Sequence, residues 1–413
     1  MSHNHKRTNR QVFLILILAI TCNVLLAAIL PKVNVWESEI GRIAASIASD
    51  RGFSSPFGRA SGPSAWIPPL YPYILGGIFY VFGVYTSAAY GIAVSINILA
   101  HALASVVLYG AARKTFGERV GRLSAYSLAT FPLLFYPLVL TRLLGGFGGA
   151  GLFISPNLIW YTHLSELAIV TLIWLTLNPP HWVVYGAAWG FAGLLNPAIL
   201  ALAPAFLIWQ AKYKHGLRYV SMAVLVTLLC VTPWLYRNYS VFHRPVFIRD
   251  NLGVELRVGN QPGQNGLWDA DLHPDRSDFE LDRLIKMGEV EYARDCGQQA
   301  VRIILSRPGE FLRNVVLRTG YWWIGNPMAS KRLGPFRFLK YLPQLVFSLL
   351  ALLGAASVVR QKNTPGLLFV SVLIFYPLIY YITHTFSGFL YQYPIHPEML
   401  ALAISWSLRR NMG

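Results

Sequence analysis

Between Gln11 and Pro31 the chain carries no charged residue, and long apolar runs of this kind recur to its end. A run of about 20 apolar residues is what a helix needs to cross a bilayer. Within lipid a backbone must satisfy its own hydrogen bonds, so such runs fold as helices. The 413 residues are 54% hydrophobic and only 13% charged, more apolar than a soluble core requires. We therefore expect an all-α polytopic membrane protein with about ten transmembrane helices. The formal net charge of +17 does not point to nucleic acid, because much of the basic charge sits in short loops between apolar runs. There it orients the helices, with basic loops on the cytoplasmic side. Cys22, Cys230 and Cys296 lie far apart and form neither a disulfide framework nor a metal motif.

Lys6, Arg7 and Arg10 precede the first run, which places the N-terminus in the cytoplasm and, with no small-residue cleavage site, reads as a retained helix. Further spans are expected at about 87–111, 122–140 and 158–178, then two short ones in 182–210 broken at Asn196-Pro197. A seventh lies at about 219–235, and three more at about 337–358, 365–383 and 394–408. The basic residues Arg113, Lys114, Arg119, Arg122, Lys212, Lys214, Arg218, Arg360, Lys362, Arg409 and Arg410 then all fall on the cytoplasmic side. Residues 1–235 form an N-terminal membrane module, 236–335 a small polar external subdomain of helical or mixed structure, and 336–413 the closing helices.

The first external loop, 32–86, holds Glu37 and Glu39 where the chain leaves the membrane. Ile40, Ile43, Ala44 and Ile47 follow at i, i+3, i+4 and i+7, the spacing of an amphipathic helix lying on the membrane surface. Next come a break at Gly52-Phe53 and a proline-rich corner from Pro68 to Pro72 that leads into a surface helix at 70–84. One glutamate could act as a general base, or the pair could hold a divalent cation. Two solvated carboxylates favouring a helix N-terminus would look the same. Glu39, next to the periodic run, is the better placed to be fixed. Glu166 lies near the outer end of a membrane span, where a carboxylate is a functional candidate by default or is simply solvated or hydrogen-bonded; His163, one turn before it, could pair with it but reads rather as an interfacial histidine. Arg237, Arg244, Arg249 and Arg257 follow the seventh span and suit a lipid phosphate through bidentate contacts, or simple headgroup attraction. Asn260 and His273 sit in turns and could touch a sugar, as could His396 in the loop 391–397.

The order of these features resembles the bacterial membrane glycosyltransferases of the GT-C superfamily, which include protein O-mannosyltransferases and the lipid A aminoarabinose transferase. The residues that carry the resemblance are Glu39-Ile40-Gly41-Arg42, Arg51-Gly52-Phe53-Ser54, Pro69-Leu70-Tyr71-Pro72 and Phe82-Gly83. Ser165-Glu166, Thr232-Pro233-Trp234, Arg237-Asn238-Tyr239, Gly253, Glu255-Leu256 and Gly259-Asn260 continue it. The chain departs from the pattern at Trp36-Glu37-Ser38-Glu39, where many relatives have Asp-Glu, at Asp50, at Asn196 and in the closing segment from Leu390 to Pro394. The resemblance implies a GT-C-like fold and an inverting transferase in a bacterial inner membrane. Its donor would be a polyprenyl-phosphate-linked sugar, and its acceptor a hydroxyl on a lipid, glycan or protein at the outer face. Glu39 or Glu37 would be the base, and Arg237, Arg249, Arg257, Glu166, Tyr71, Asn260 and His396 would line the substrate site. No dedicated metal site is implied, beyond a cation at Glu37 and Glu39. A lipid-linked glycan ligase or polymerase would rest on arginines instead. A flippase would show repeated halves, of which the sequence has no sign.

Overall fold

A computed structural model of the protein describes residues 2–30, 38–135, 155–325, 342–384 and 391–410, and among these the structure is helical with one isolated β-bridge. Helix α1 (Ser2–Ile29) packs against α4 (Ser87–Phe116) and α5 (Glu118–Phe135). Gly117, at φ +96°, makes the tight turn between the last two, a conformation that an L side chain resists. Helix α6 (Thr162–Leu177) lies along α4, and α7 (Trp182–Leu195) pairs with α9 (Gly216–Phe242). Between them Asn196 ends α7, and its Oδ1 accepts from the Ala198 amide at 3.2 Å to start a 3-10 turn (Pro197–Leu202) that runs into α8 (Ala203–Tyr213).

The C-terminal helices are α14 (Leu342–Arg360), α15 (Gly366–Phe375), α16 (Leu378–Ile382) and α17 (His396–Arg410). Helix α17 packs on α14 and reaches back to α5 and α4, closing the bundle around Leu108, Ile173, Trp322, Phe369 and Met399. Among the described residues four helices, α1 from Thr8, α4, α9 and α14, are individually long and apolar enough to span a membrane; shorter apolar helices at Thr162–Leu177, Trp182–Leu195 and Gly366–Ile382 fall within the spans expected at 158–178, 182–210 and 365–383. The expected polytopic all-α membrane fold is what the chain adopts.

Two elements precede the bundle's second span. Helix α2 (Glu39–Ala48) buries Ile40, Ile43 and Ala44 completely, as their spacing predicts. Burying each isoleucine stabilises the helix by about 1.5–3 kcal/mol. It packs on α3 (Leu70–Phe82), where Gly76 lets Ile47 close in. Between α9 and α14 the chain forms a polar unit of α10 (Leu252–Gly259), α11 (Asp278–Met287), α12 (Glu289–Ser306) and α13 (Pro308–Ile324). The backbones of α10 and α12 touch at Gly253 and Gly297, so closely that a β-carbon on Gly253 would collide with the Ala293 carbonyl. Helix α2, the loop after it and this polar unit share one apolar core that includes Phe53, Trp66, Ile248, Val254 and Tyr292.

Candidate active site

Glu39 occupies the first turn of α2, and its carboxylate turns toward the polar unit rather than toward open solvent. His273 Nε2 lies 3.7 Å from its Oε1, and the two side chains are 7% and 16% exposed. The His273 ring packs edge-on against Trp66 and lies beside Phe57 and Trp268. Its Nδ1 accepts from the Asp275 amide at 3.2 Å, and Arg42 of α2 pairs with Asp275. A second carboxylate, Glu255 of α10, belongs to the same cluster. His384 Nε2 is 2.6 Å from its Oε2, the Asn251 amide donates to Oε1 at 2.7 Å, and Arg249 is 3.9 Å away. Arg249 also donates from Nε to the Trp66 carbonyl at 3.0 Å.

The environment drives the two carboxylates apart. Burial first, then the nearby Asp275 and Glu255 charges, push Glu39 up to about 7 against the pull of Arg249 and Arg42. Burial opposes ionisation of Glu255 too, but His384, His273 and Arg249 outweigh it and bring that group down to about 2. A carboxylate pair divided in this way supplies a fixed anion and a group that exchanges its proton near neutral pH. Burial lowers His273 from the ordinary imidazole range.

The first loop is held over this cluster from behind. Ser54 and Pro63 form an antiparallel bridge, and Arg237 donates to the carbonyls on both of its arms, Phe53 at 2.9 Å and Ser64 at 2.7 Å. Its guanidinium stacks on Trp234 at 4.8 Å.

The residues singled out from sequence do not all meet at one place. Glu39 and Arg249 share the cluster, whereas Arg237 is committed to the loop. Arg257 is buried in the polar unit, bidentate to Glu280 at 2.7 and 3.0 Å. Asn260 accepts from Arg318 at 2.9 Å and donates to the Ile382 carbonyl at 3.0 Å. Tyr71 is 2% exposed within the core beneath α2. Glu166 and His396 lie in a second buried group within the helix bundle. Glu37 falls outside the described residues. Glu255 carried no role in the sequence beyond its place in a motif, and His384, which follows a Tyr-Tyr-Ile-Thr run, gave no signal at all.

No family model matches the chain, and no curated protein matches it in sequence. Its fold matches the oligosaccharyltransferase of Archaeoglobus fulgidus. The crystal structure with zinc and sulfate aligns at a TM-score of 0.51 and 14% identity, over 97% of this chain and 49% of that one. The complex of the same enzyme, AglB, with an inhibitory peptide and a dolichol-phosphate aligns at 0.55 and 13%, over 99% and 51%. The chain thus shares its fold with part of that enzyme and spans about half the length of the solved enzyme it matches. A crystal structure of ArnT from Cupriavidus metallidurans bound to undecaprenyl phosphate aligns at 0.38 and 14% identity, over 97% and 78%.

Proposed function

We propose that this chain is a glycosyltransferase that moves a sugar from a polyprenyl-phosphate-linked donor to an acceptor hydroxyl. The observation that carries this is Glu39, raised to about 7 beside the ionised Glu255, Arg249 and two histidines. A base of that strength can take a proton from an attacking hydroxyl near neutral pH. The oxygen then attacks the anomeric carbon as the bond to the lipid phosphate breaks, a single displacement that inverts configuration. Arg249, 3.9 Å from Glu255 and close enough for its charge to act on Glu39, is the cation best placed to take up charge on the departing phosphate. The fold it shares with an enzyme solved with dolichol-phosphate supports a lipid-linked donor.

A divalent cation at the first loop would take Glu39, with Glu37, as ligands. Glu255 fits that role poorly, since Asn251 and His384 already occupy its two oxygens, and Arg249 opposes a second cation beside it. Proton abstraction by Glu39 as written uses these side chains alone. We place residues 236–335 and the loop 32–86 on the outer face of a bacterial inner membrane, with both termini in the cytoplasm. The one-sided distribution of the basic loops supports that orientation. We also assign residues 1–235 and 336–413 to the membrane module.

The test is release of polyprenyl phosphate from a panel of polyprenyl-phosphate sugars by purified protein, with cell-envelope acceptors present. Wild type should release it and Glu39→Gln should not. A double variant, Glu37→Ala with Glu39→Ala, that stays folded and active would overturn the mechanism. Release from lipid-diphosphate donors alone would replace the donor class.

A further inference from the structure

A second polar cluster lies inside the helix bundle and shares no residue with the transfer site. His101 comes from α4, His163 and Glu166 from one face of α6, and Tyr393 from the turn that enters α17; all four are fully buried. The far nitrogen of each histidine meets a backbone carbonyl: His101 Nε2 is 3.0 Å from the Leu128 oxygen, and His163 Nε2 is 3.3 Å from the Ser155 oxygen. A carbonyl only accepts, so both Nε2 atoms carry hydrogen, and a neutral ring then presents a lone pair at Nδ1. Both Nδ1 atoms face one carboxylate oxygen. Glu166 Oε2 is 3.0 Å from His101 Nδ1 and 3.9 Å from His163 Nδ1, and the Tyr393 hydroxyl is 3.0 Å from His101 Nδ1.

Lone pairs and an anion converging in a dry interior repel unless positive charge lies between them. A proton on His101 would answer its own contact with Glu166. It would leave His163 Nδ1 and Glu166 Oε1 as they stand, buried and without hydrogen-bond partners among the described residues. A metal ion answers all of them together. The ligand atoms of His101, His163 and Glu166 lie within 4.8 Å of one another. Tetrahedral zinc, with bonds of about 2.0–2.1 Å, sets its ligands roughly 3.3 Å apart, between the two separations to Glu166 given above. An imidazole whose other N–H rests on a carbonyl is the usual second layer around such a ligand, because it fixes the tautomer and the ring plane.

We propose that His101, His163 and Glu166 bind a zinc ion within the membrane bundle, with Tyr393 beside the fourth position. The ion ties α4, α6 and the entrance of α17 together.

The experiment uses full-length protein in detergent, stripped of metal, reloaded with zinc and desalted. Zinc per chain is read by mass spectrometry and the ligand shell by X-ray absorption. A Glu39→Gln background removes any ion held at the first loop. One zinc per chain should remain there, with imidazole scattering. His163→Asn should weaken binding at least tenfold. His163→Cys should keep the ion and add a sulfur neighbour at about 2.3 Å, which also covers the case in which the asparagine variant fails to fold. Absence of zinc in the Glu39→Gln protein, zinc unaffected by His163→Asn, or a cysteine variant whose zinc shows no sulfur would each overturn the proposal.

Discussion

The sharpest prediction concerns Glu39, because the environment that equips it as a base also penalises the fold. Its carboxyl rises from an ordinary 4.5 to about 7 through burial and neighbouring negative charge. A raised acid favours the folded state below its unfolded value, and that contribution is lost as pH climbs through the folded one. A tenfold change in acidity is worth 1.36 kcal/mol, so the rise from 4.5 to about 7 gives the ionised form a penalty of about 3 kcal/mol above pH 7. Glu39→Gln removes the penalty. At pH 8.5 the variant should be more stable than wild type by about that amount, and at pH 4 the two should coincide. With an unfolding entropy of roughly 2.1 cal/mol/K per residue over 413 residues, this is roughly 4 °C in Tm. Thermal unfolding in detergent, followed by intrinsic fluorescence at the two pH values, measures it. Transfer by the wild type should rise with one deprotonation near pH 7 and be lost in Glu39→Gln at every pH. A variant destabilised equally at both pH values would refute the burial argument. A wild-type rate that does not change between pH 6 and 8 would refute the assignment of the base.

Four further substitutions test how the site is supported. Arg237→Met removes the guanidinium that stacks on Trp234 and frees the Phe53 and Ser64 carbonyls. We expect a loss of about 2–3 kcal/mol and faster proteolysis between residues 53 and 64, read by limited digestion. Arg257→Met leaves Glu280, 2% exposed, with Arg283 and Tyr292 as remaining partners. It should destabilise the polar unit by about 3 kcal/mol, seen as faster hydrogen exchange in 278–306. Gly253→Ala drives a methyl into the Ala293 carbonyl and should lose about 1–3 kcal/mol in thermal unfolding. Gly297→Ala, whose β-carbon would sit 3.3 Å from Gly253 Cα, should lose less.

The helices were legible because apolar runs in lipid leave the backbone no alternative. The span expected at 87–111 is Ser87–Phe116, that at 337–358 is Leu342–Arg360, and the short pair broken at Asn196-Pro197 is α7 and α8. The span expected to end at 235 runs on through Pro233 to Phe242, because Trp234 is buried and donates to the Ile248 carbonyl at 2.9 Å. Helix periodicity alone does not contain that contact. Glu39 stood out because it lies next to a periodic run. The roles of the arginines did not, since each depends on which acceptor the fold delivers: loop carbonyls for Arg237, Glu280 for Arg257, Trp66 and Glu255 for Arg249. His384 reaches Glu255 from 129 positions away, by way of a chain that passes Gly259 at backbone contact. No local pattern encodes such an approach.

What sets the site is less the identity of its acids than the position of three consecutive residues in the first loop. The Ser64 carbonyl takes Arg237, the Ala65 carbonyl takes the Asp250 amide at 3.2 Å, and the Trp66 carbonyl takes Arg249. The Ala65 amide donates to Glu289 of α12 at 2.5 Å. Glu289 is pushed well above the ordinary carboxyl range by burial and by Asp250, and Asp250 itself rises to about 6, chiefly through burial. The segment that carries Trp66 against His273 is thus fixed through its backbone as well as by the burial of Trp66. Helix α2 and the polar unit meet across that segment, and they bring Glu39 to Glu255 and Arg249. The bonds from the polar unit to the backbone at residues 64–66 therefore determine whether Glu39 faces the cluster or solvent, and with it the rise in its pKa.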